Sequence, residues 1–308
     1  MKKILLAVIA IIVIGFGVLV YTFLPQNLDV PAGEAAKLPS STVPEGITLK
    51  AITSGVISSS AAFSYRGGSP LDERTTNVGS ILVEHPKGAL LFDAGFGASV
   101  DEHLKTAPWL MQKLVKLTPG KTVADQLKAA GKTLDSIKGV YITHAHWDHV
   151  SGLENLAGVP VFFPKAELHF IKNAGHASKL ARDLIKDKYN LYDFQSGPYM
   201  GFEKSHDVYG DGSIVIVPML GHTPGSIAAF VNTSDGKHYA LIGDTAWQTE
   251  GVSLPAERPW MARNMVDVHT QRIRENLVTL HKIKKSNPDL IIVPAHDMRI
   301  WEKLPRLN

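Results

Sequence analysis

The segment Thr143-His144-Ala145-His146-Trp147-Asp148-His149-Val150-Ser151-Gly152 places three imidazoles and a carboxylate between positions 144 and 149. These are the side chains that hold divalent cations. In extended backbone the side chains at i and i+2 point the same way, so His144 and His146 can converge on one ion. Asp148 and His149 fall at the expected start of the next helix, where the chain turns, and can point back towards a second ion. Three further segments can complete these half-sites. The apolar run 213–220 leads into Gly221-His222-Thr223-Pro224-Gly225, the run 238–242 into Gly243-Asp244-Thr245, and the run 289–293 into Pro294-Ala295-His296-Asp297. Each delivers a ligand-type residue just past the C-terminal end of a strand, the edge of an α/β sheet where sites form. The candidate metal ligands are therefore His144, His146, Asp148, His149, His222, Asp244 and His296. A lone histidine is ordinarily a surface or satisfied core residue, and His85, His103, His169, His176, His206, His238, His269 and His281 keep that reading.

The elements that must carry these residues follow from the apolar patterning. Strands are expected at 47–52, 80–84, 89–92, 138–143, 159–163, 213–220, 238–242 and 289–293. The strand 89–92 ends in the turn signal Asp93-Ala94-Gly95. Helices are expected at 122–130, 165–174, 177–188 and 266–286, the last with Ile273, Leu277, Leu280 and Ile283 on its buried stripe. Such an alternation indicates an α/β sandwich.

Composition narrows the chemistry. The chain has 308 residues, 20% charged and 44% hydrophobic, which suits a globular protein. It has no cysteine, so thiolate nucleophiles, disulfides, Cys-based zinc sites and lipid attachment through cysteine are excluded. The net charge is +3 with no long Lys/Arg cluster, so no nucleic-acid partner is expected.

The N-terminus divides from the body. After Met1-Lys2-Lys3, residues 4–24 are uncharged, long enough at about 1.5 Å per residue to span a bilayer core. The run is longer than a signal peptide's apolar region and no small-x-small site follows it closely, which favours an uncleaved anchor over a cleaved signal. Residues 1–24 are thus read as a transmembrane anchor with Lys2 and Lys3 cytoplasmic. The body then lies outside the cytoplasm, at the inner membrane or in the periplasm. Residues 25–45, with Pro25, Pro31, Pro39 and Pro44, read as a semi-extended tether that stands the domain off the bilayer. Residues 46–308 form the domain.

The pattern His144-x-His146-x-Asp148-His149, followed by His222, Asp244 and His296, resembles the metallo-β-lactamase superfamily from about Gly46 onward. The resemblance implies an αββα sandwich of two mixed sheets flanked by helices, with the metals in a cleft. It implies His144, His146 and His222 on one ion, Asp148, His149 and His296 on the other, and Asp244 bridging. It also implies two divalent metal ions, zinc favoured, that together supply an activated water for hydrolysis of a small molecule. Asp148 would pass a proton to the leaving group.

Within the superfamily the spacing and the closing Pro294-Ala295-His296-Asp297 look most like the lactonase and organophosphate-hydrolase branches. Acyl-homoserine lactonases typically carry a Tyr three residues after the bridging Asp, where this chain has Trp247, whose N–H can donate but cannot act as a phenol. The expected function is cleavage of a small ester, lactone or phosphoester. The alternatives are a mononuclear iron oxidoreductase of the persulfide dioxygenase type, a glyoxalase II-like thioesterase, and a non-catalytic binding protein. His146 argues against the di-iron members, which place Glu there. The loop 96–121, with Trp109, Leu110, Met111 and Leu114, reads equally as a hydrophobic lid or as an ordinary packed helix. The aromatic stretch Tyr189, Tyr192, Phe194, Tyr199 and Phe202 reads as core.

Overall fold

Side chains alternate across the strands of the computed structural model, which describes residues 1–39 and 43–307, and that alternation builds three apolar layers. One sheet has seven strands in the order β4-β1-β2-β3-β5-β6-β7. They are β1 (Thr48–Ser60), β2 (Glu73–Glu84), β3 (Ala89–Phe92), β4 (Lys116–Pro119), β5 (Ile137–Tyr141), β6 (Val161–Pro164) and β7 (Asn190–Tyr192). The other has five strands in the order β12-β11-β10-β9-β8. They are β8 (His206–Asp207), β9 (Ile214–Pro218), β10 (Ile227–Asn232), β11 (His238–Leu241) and β12 (Leu290–Val293). Both sheets are mixed, with β3, β5, β6 and β7 running parallel in the first and β11 and β12 in the second.

Ile81, Val83, Leu90 and Phe92 face Ile214, Ile216, Ala229 and Leu241 between the sheets. The intervening Leu82 and Leu91 turn outward onto the helices Val123–Ala129, Lys165–Asn173 and Lys179–Ile185. On the far side Val217, Phe230 and Ile242 meet Ile273, Leu277, Leu280 and Ile283 of the helix Thr270–Ser286. Each such fully buried side chain contributes about 1.5–3 kcal/mol. Helix, sheet, sheet, helix is the α/β sandwich that the patterning indicates, in the αββα layering that the resemblance implies. The aromatic stretch is packing, as expected: Tyr192 lies between the sheets, while Tyr199 and Phe202 pack on Phe230.

The strands β4, β7, β8 and β10 have no counterpart among the expected ones, and β2 begins at Glu73 rather than at residue 80. Three further differences have a physical reason. β1 runs on to Ser60, past a bulge at Ser54 whose hydroxyl accepts the Phe96 amide at 2.7 Å. Its second half is serine-rich and lacks the apolar signature that sequence reading uses. The helix expected at 266–286 begins at Thr270, and a separate helix, Trp260–Val266, precedes it. The break occurs because the Val268 and His269 amides bond the Gly221 carbonyl at 3.0 and 2.8 Å.

The third is the stretch after the N-terminal helix, expected to stand the domain off the bilayer. Residues 25–38 instead lie along the body, and Ser40, Ser41 and Thr42 of the expected tether fall outside the described residues. The Leu28 amide bonds Pro255 O at 2.8 Å, the Ala35 amide bonds Ser286 Oγ at 3.1 Å, and the Leu38 amide bonds Asn287 Oδ1 at 2.8 Å. Leu28, Ala35 and Leu38 pack on the outer apolar layer. The physical reason lies at the C-terminal end of the helix Thr270–Ser286, whose last carbonyls need partners. Lys37 Nζ supplies one to Ser286 O at 2.7 Å.

The helix Lys2–Tyr21 has a mean hydropathy of 3.1 and no buried residue. It is long and apolar enough to cross a membrane, and a signal sequence would pass the same test.

Candidate metal centre

All seven sequence-selected ligands meet at one end of the two sheets. β5 ends at Tyr141, and His144 and His146 follow in the turn, His146 capping the short helix Trp147–Val150 that carries Asp148 and His149. His222 follows β9, Asp244 follows β11, and His296 follows β12. His146 Nδ1 and His144 Nε2 lie 2.8 and 3.1 Å from His222 Nε2. His296 Nε2 lies 3.4 Å from Asp148 Oδ2, and His149 Nε2 lies 3.9 Å from the same oxygen. Asp244 stands between the groups. Its Oδ2 is 3.4 Å from His222 Nε2 and 4.0 Å from His144 Nε2, and its Oδ1 is 3.3 Å from His149 Nε2 and 3.0 Å from His296 Nε2. Donors bound tetrahedrally to zinc at about 2.0–2.1 Å sit roughly 3.3 Å from one another, so the spacing fits.

The opposite edges of the rings are tied down. His149 Nδ1 donates to Asp93 Oδ2 at 2.8 Å, His222 Nδ1 to Asp267 Oδ1 at 2.8 Å, and His296 Nδ1 to Asn77 O at 2.7 Å. Thr143 Oγ1 donates to Asp93 Oδ2 at 2.9 Å and so accepts from His144 Nδ1 at 3.1 Å. In the neutral form of these four rings the lone pair is thereby left on Nε2, facing the cluster, which is how second contacts fix a metal-binding tautomer; His146 faces the cluster through Nδ1. Asp93 adopts φ 62° to reach both Thr143 and His149, a conformation that costs a non-glycine residue about 1–3 kcal/mol.

Electrostatics separate the two groups. Burial, reinforced by neighbouring imidazoles, holds His144 and His146 well below the ordinary histidine range, so their neutral, lone-pair form dominates. Burial opposes charge on His149 and His296 too. There the carboxylates outweigh it: Asp93, Asp244 and Asp148 around His149, and Asp244 and Asp148 around His296, raise both. Burial would raise Asp244, but His296 and His149 hold it well below the carboxylate range. The second group therefore draws positive charge inward. His149 Nε2 and Asp244 Oδ1 are buried without a hydrogen-bond partner, a costly state that a cation between them would relieve. The donor set fits divalent metal.

The cluster opens into a cleft of about 530 Å³, within the range of small-molecule sites. Ile57, Phe63, Met111, Val115, Met265 and Val266 supply its apolar wall, and His146, Asp148, Asp244 and His296 its floor. The loop 96–121 supplies Ala107, Pro108 and Met111 to this wall, and Met111 also packs on the core, so both expectations for it apply in part. Trp247 also lines the cleft, but its Nε1 donates to Asp244 Oδ2 at 2.7 Å and its ring carries the Arg258 guanidinium at 4.6 Å. Its N–H is spent on the carboxylate rather than offered to the cavity.

The family model of the metallo-β-lactamase superfamily matches residues 75–296. The chain belongs to that superfamily. Its relatives include a protein described as a "Probable metallo-hydrolase" of Mycobacterium tuberculosis, 27% identical over 72% of this chain and 75% of its own length. An N-acyl homoserine lactonase of Agrobacterium fabrum is 23% identical over 71% of this chain and 81% of its own. Among solved structures, an N-acyl homoserine lactone hydrolase with N-hexanoyl-L-homoserine at its catalytic metal centre superposes with a TM-score of 0.68. It is 16% identical and covers 86% of this chain and 98% of that one. AidC, described as a dizinc quorum-quenching lactonase, gives a TM-score of 0.54 at 16% identity over 82% and 92%. At these identities the structural likeness establishes the fold. The protein is a metallo-hydrolase of the metallo-β-lactamase superfamily.

Other supporting residues were not selected from the sequence. Glu167, fully buried, accepts from the Ala145 amide at 2.7 Å, from Thr223 Oγ1 at 2.7 Å and from the Gly225 amide at 3.0 Å, joining the His144–His146 turn to the His222 turn. Arg258 pairs with Asp267 at 3.0 Å and donates to the Asp244 carbonyl. Arg258 and Asp267 stand neither at a strand end nor in a dense cluster, so spacing gives no signal for them; Glu167 follows β6 by three residues, as His144 follows β5, but sits inside the helix Lys165–Asn173. The eight remaining histidines lie outside the metal-binding groups.

Proposed function

We propose that this superfamily hydrolase uses two divalent ions, zinc favoured, to cleave a small carboxylic ester or lactone, and that residues 2–21 remain as its membrane anchor. In this reading His144, His146 and His222 would hold one ion and Asp148, His149 and His296 the other, with Asp244 available to both groups. The observation that carries it is the division of Asp244: one oxygen towards the first histidine group, the other towards the second. Bound metal supplies Lewis acidity and lowers the pKa of water from about 15.7 towards 7.

The chain's own residues do the rest. Asp93, Asp267 and the Asn77 carbonyl orient the imidazoles. Asp148 faces both the second group and the cleft, so its carboxyl can take a proton and hand it to the leaving oxygen. The apolar wall excludes water and suits an acyl group. Lys116 is the lone lysine or arginine among the described lining residues, which favours a neutral ester or lactone over an anionic phosphodiester. The lactonase relatives support the same class.

The test is metal analysis of the full chain, with turnover of aryl esters, lactones, thioesters and phosphotriesters after zinc loading. Two ions per chain with ester or lactone turnover is the expected result. One iron per chain with sulfur oxygenation would favour the dioxygenase reading instead. Compared at matched metal loading, Asp148→Asn is expected to lose about 10²–10⁴-fold in kcat. Full metal together with full turnover would remove the proton role.

A further inference from the structure

The end of the N-terminal helix is clamped to the body beside the cleft. Arg66, buried, donates through Nη2 to Tyr21 O at 2.8 Å and through Nε to Leu24 O at 3.2 Å, also bonds Gln26 Oε1, and lies 5.3 Å over the Tyr21 ring. The Gly67 amide bonds Phe23 O at 2.9 Å, and the Phe23 ring meets Phe63 edge-on at 6.1 Å. Phe63 is itself part of the cleft wall. One side chain therefore touches both the helix exit and the cavity. One residue separates Tyr21 from Phe23, a reach of at most about 7 Å over the two steps.

The segments that line the mouth also expose large apolar groups. Leu71 is 91% exposed, Trp109 73% and Trp260 50%. Leu71 adjoins Pro70, Trp109 stands between Pro108 and Met111, and Trp260 begins the helix that carries Ala262 and Met265, all wall residues. Lys113 and Lys116 are exposed on the same stretch as Trp109. Tryptophan with flanking lysine suits the headgroup layer of a bilayer, where an amphipathic ring and a cation are both satisfied.

We propose that the rim formed by Leu71, Trp109 and Trp260 rests in the headgroup layer of the membrane that holds the N-terminal helix, so that the cleft opens at the lipid–water boundary. The bilayer, rather than a second protein, is the occupant because the helix exit at Phe23 is continuous with this rim. The proposal rests on the reading of residues 2–21 as a retained span. An amphiphile with an apolar acyl chain then reaches the metal centre from the bilayer surface.

The chain has no cysteine, so single substitutions can carry a nitroxide without background. Ile12→Cys, Leu71→Cys, Trp109→Cys, Trp260→Cys and Lys237→Cys are labelled in the full chain, in phosphatidylcholine–phosphatidylglycerol vesicles. Lys237 lies in the turn before β11, at the end of the sheet away from Asp244. Collision with lipid-soluble oxygen is compared with collision with an aqueous nickel chelate. The three rim labels are expected to give an oxygen-to-nickel ratio several-fold above that at Lys237. Rim labels that match Lys237, while Ile12 reads as hydrocarbon, overturn the rim and leave the span standing. Rim labels shielded from both reagents mark a protein contact and also overturn it. An aqueous reading at Ile12 rejects the span and the rim together.

Discussion

Burial pushes the Glu167 carboxyl up to about 7, against the three hydrogen bonds that favour its anion. Its ordinary value is 4.5, so the stability this group contributes is complete below that pH and is lost as pH rises through about 7. Thermal midpoints measured from about pH 5 to 8 should fall less steeply for Glu167→Gln than for the parent chain. The amide should also cost about 1–3 kcal/mol throughout, because an N–H then faces a donor. Asp267 acts at the same scale through His222. Asp267→Ala frees the imidazole and strands the buried Arg258. Metal affinity, followed by chelator competition, is expected to drop about 10–100-fold. The clustering of the seven candidate residues was legible because their types recur immediately after apolar runs. Arg258 and Asp267 were not legible, because what each touches is set by tertiary distance and leaves no spacing in the chain; Glu167 does follow a strand, but as a lone carboxylate within an expected helix it gave no sign of its partners.

At the scale of elements, the site depends on turns that follow strands, and these tolerate little change. A Cβ on Gly225 would lie 2.2 Å from the Glu167 backbone nitrogen, so the helix Lys165–Asn173 would have to move. Gly225→Ala is expected to lose metal and stability together, seen as reduced zinc stoichiometry and a lower unfolding midpoint. Most strands could be read from their apolar runs, with ends shifted by a few residues. The β1 extension escaped because Ser58, Ser59 and Ser60 carry no apolar alternation. The later start of the helix at Thr270 escaped because residues 266–269 carry no Gly or Pro to mark a boundary. Only the demand of the His222 turn for Asp267 and for two backbone amides interrupts the helix there.

For the molecule as a whole, the proline-bearing stretch had the composition of a spacer, yet its leucines and amides found partners on the body. Composition describes how a segment behaves in isolation, and Asn287 changes that context by bonding Leu38 and Ala36 at 2.8 and 2.9 Å. Asn287→Ala in the full chain is expected to cost about 1–3 kcal/mol, to raise proteolysis within residues 25–38, and to leave metal content unchanged. Because this lacing begins at Arg66, which holds the last turn of the helix, the N-terminal rod and the catalytic body are expected to turn together. Tilting the rod tilts the mouth of the cleft by the same angle, and extra residues spliced into the stretch would unpick a seam rather than lengthen a leash.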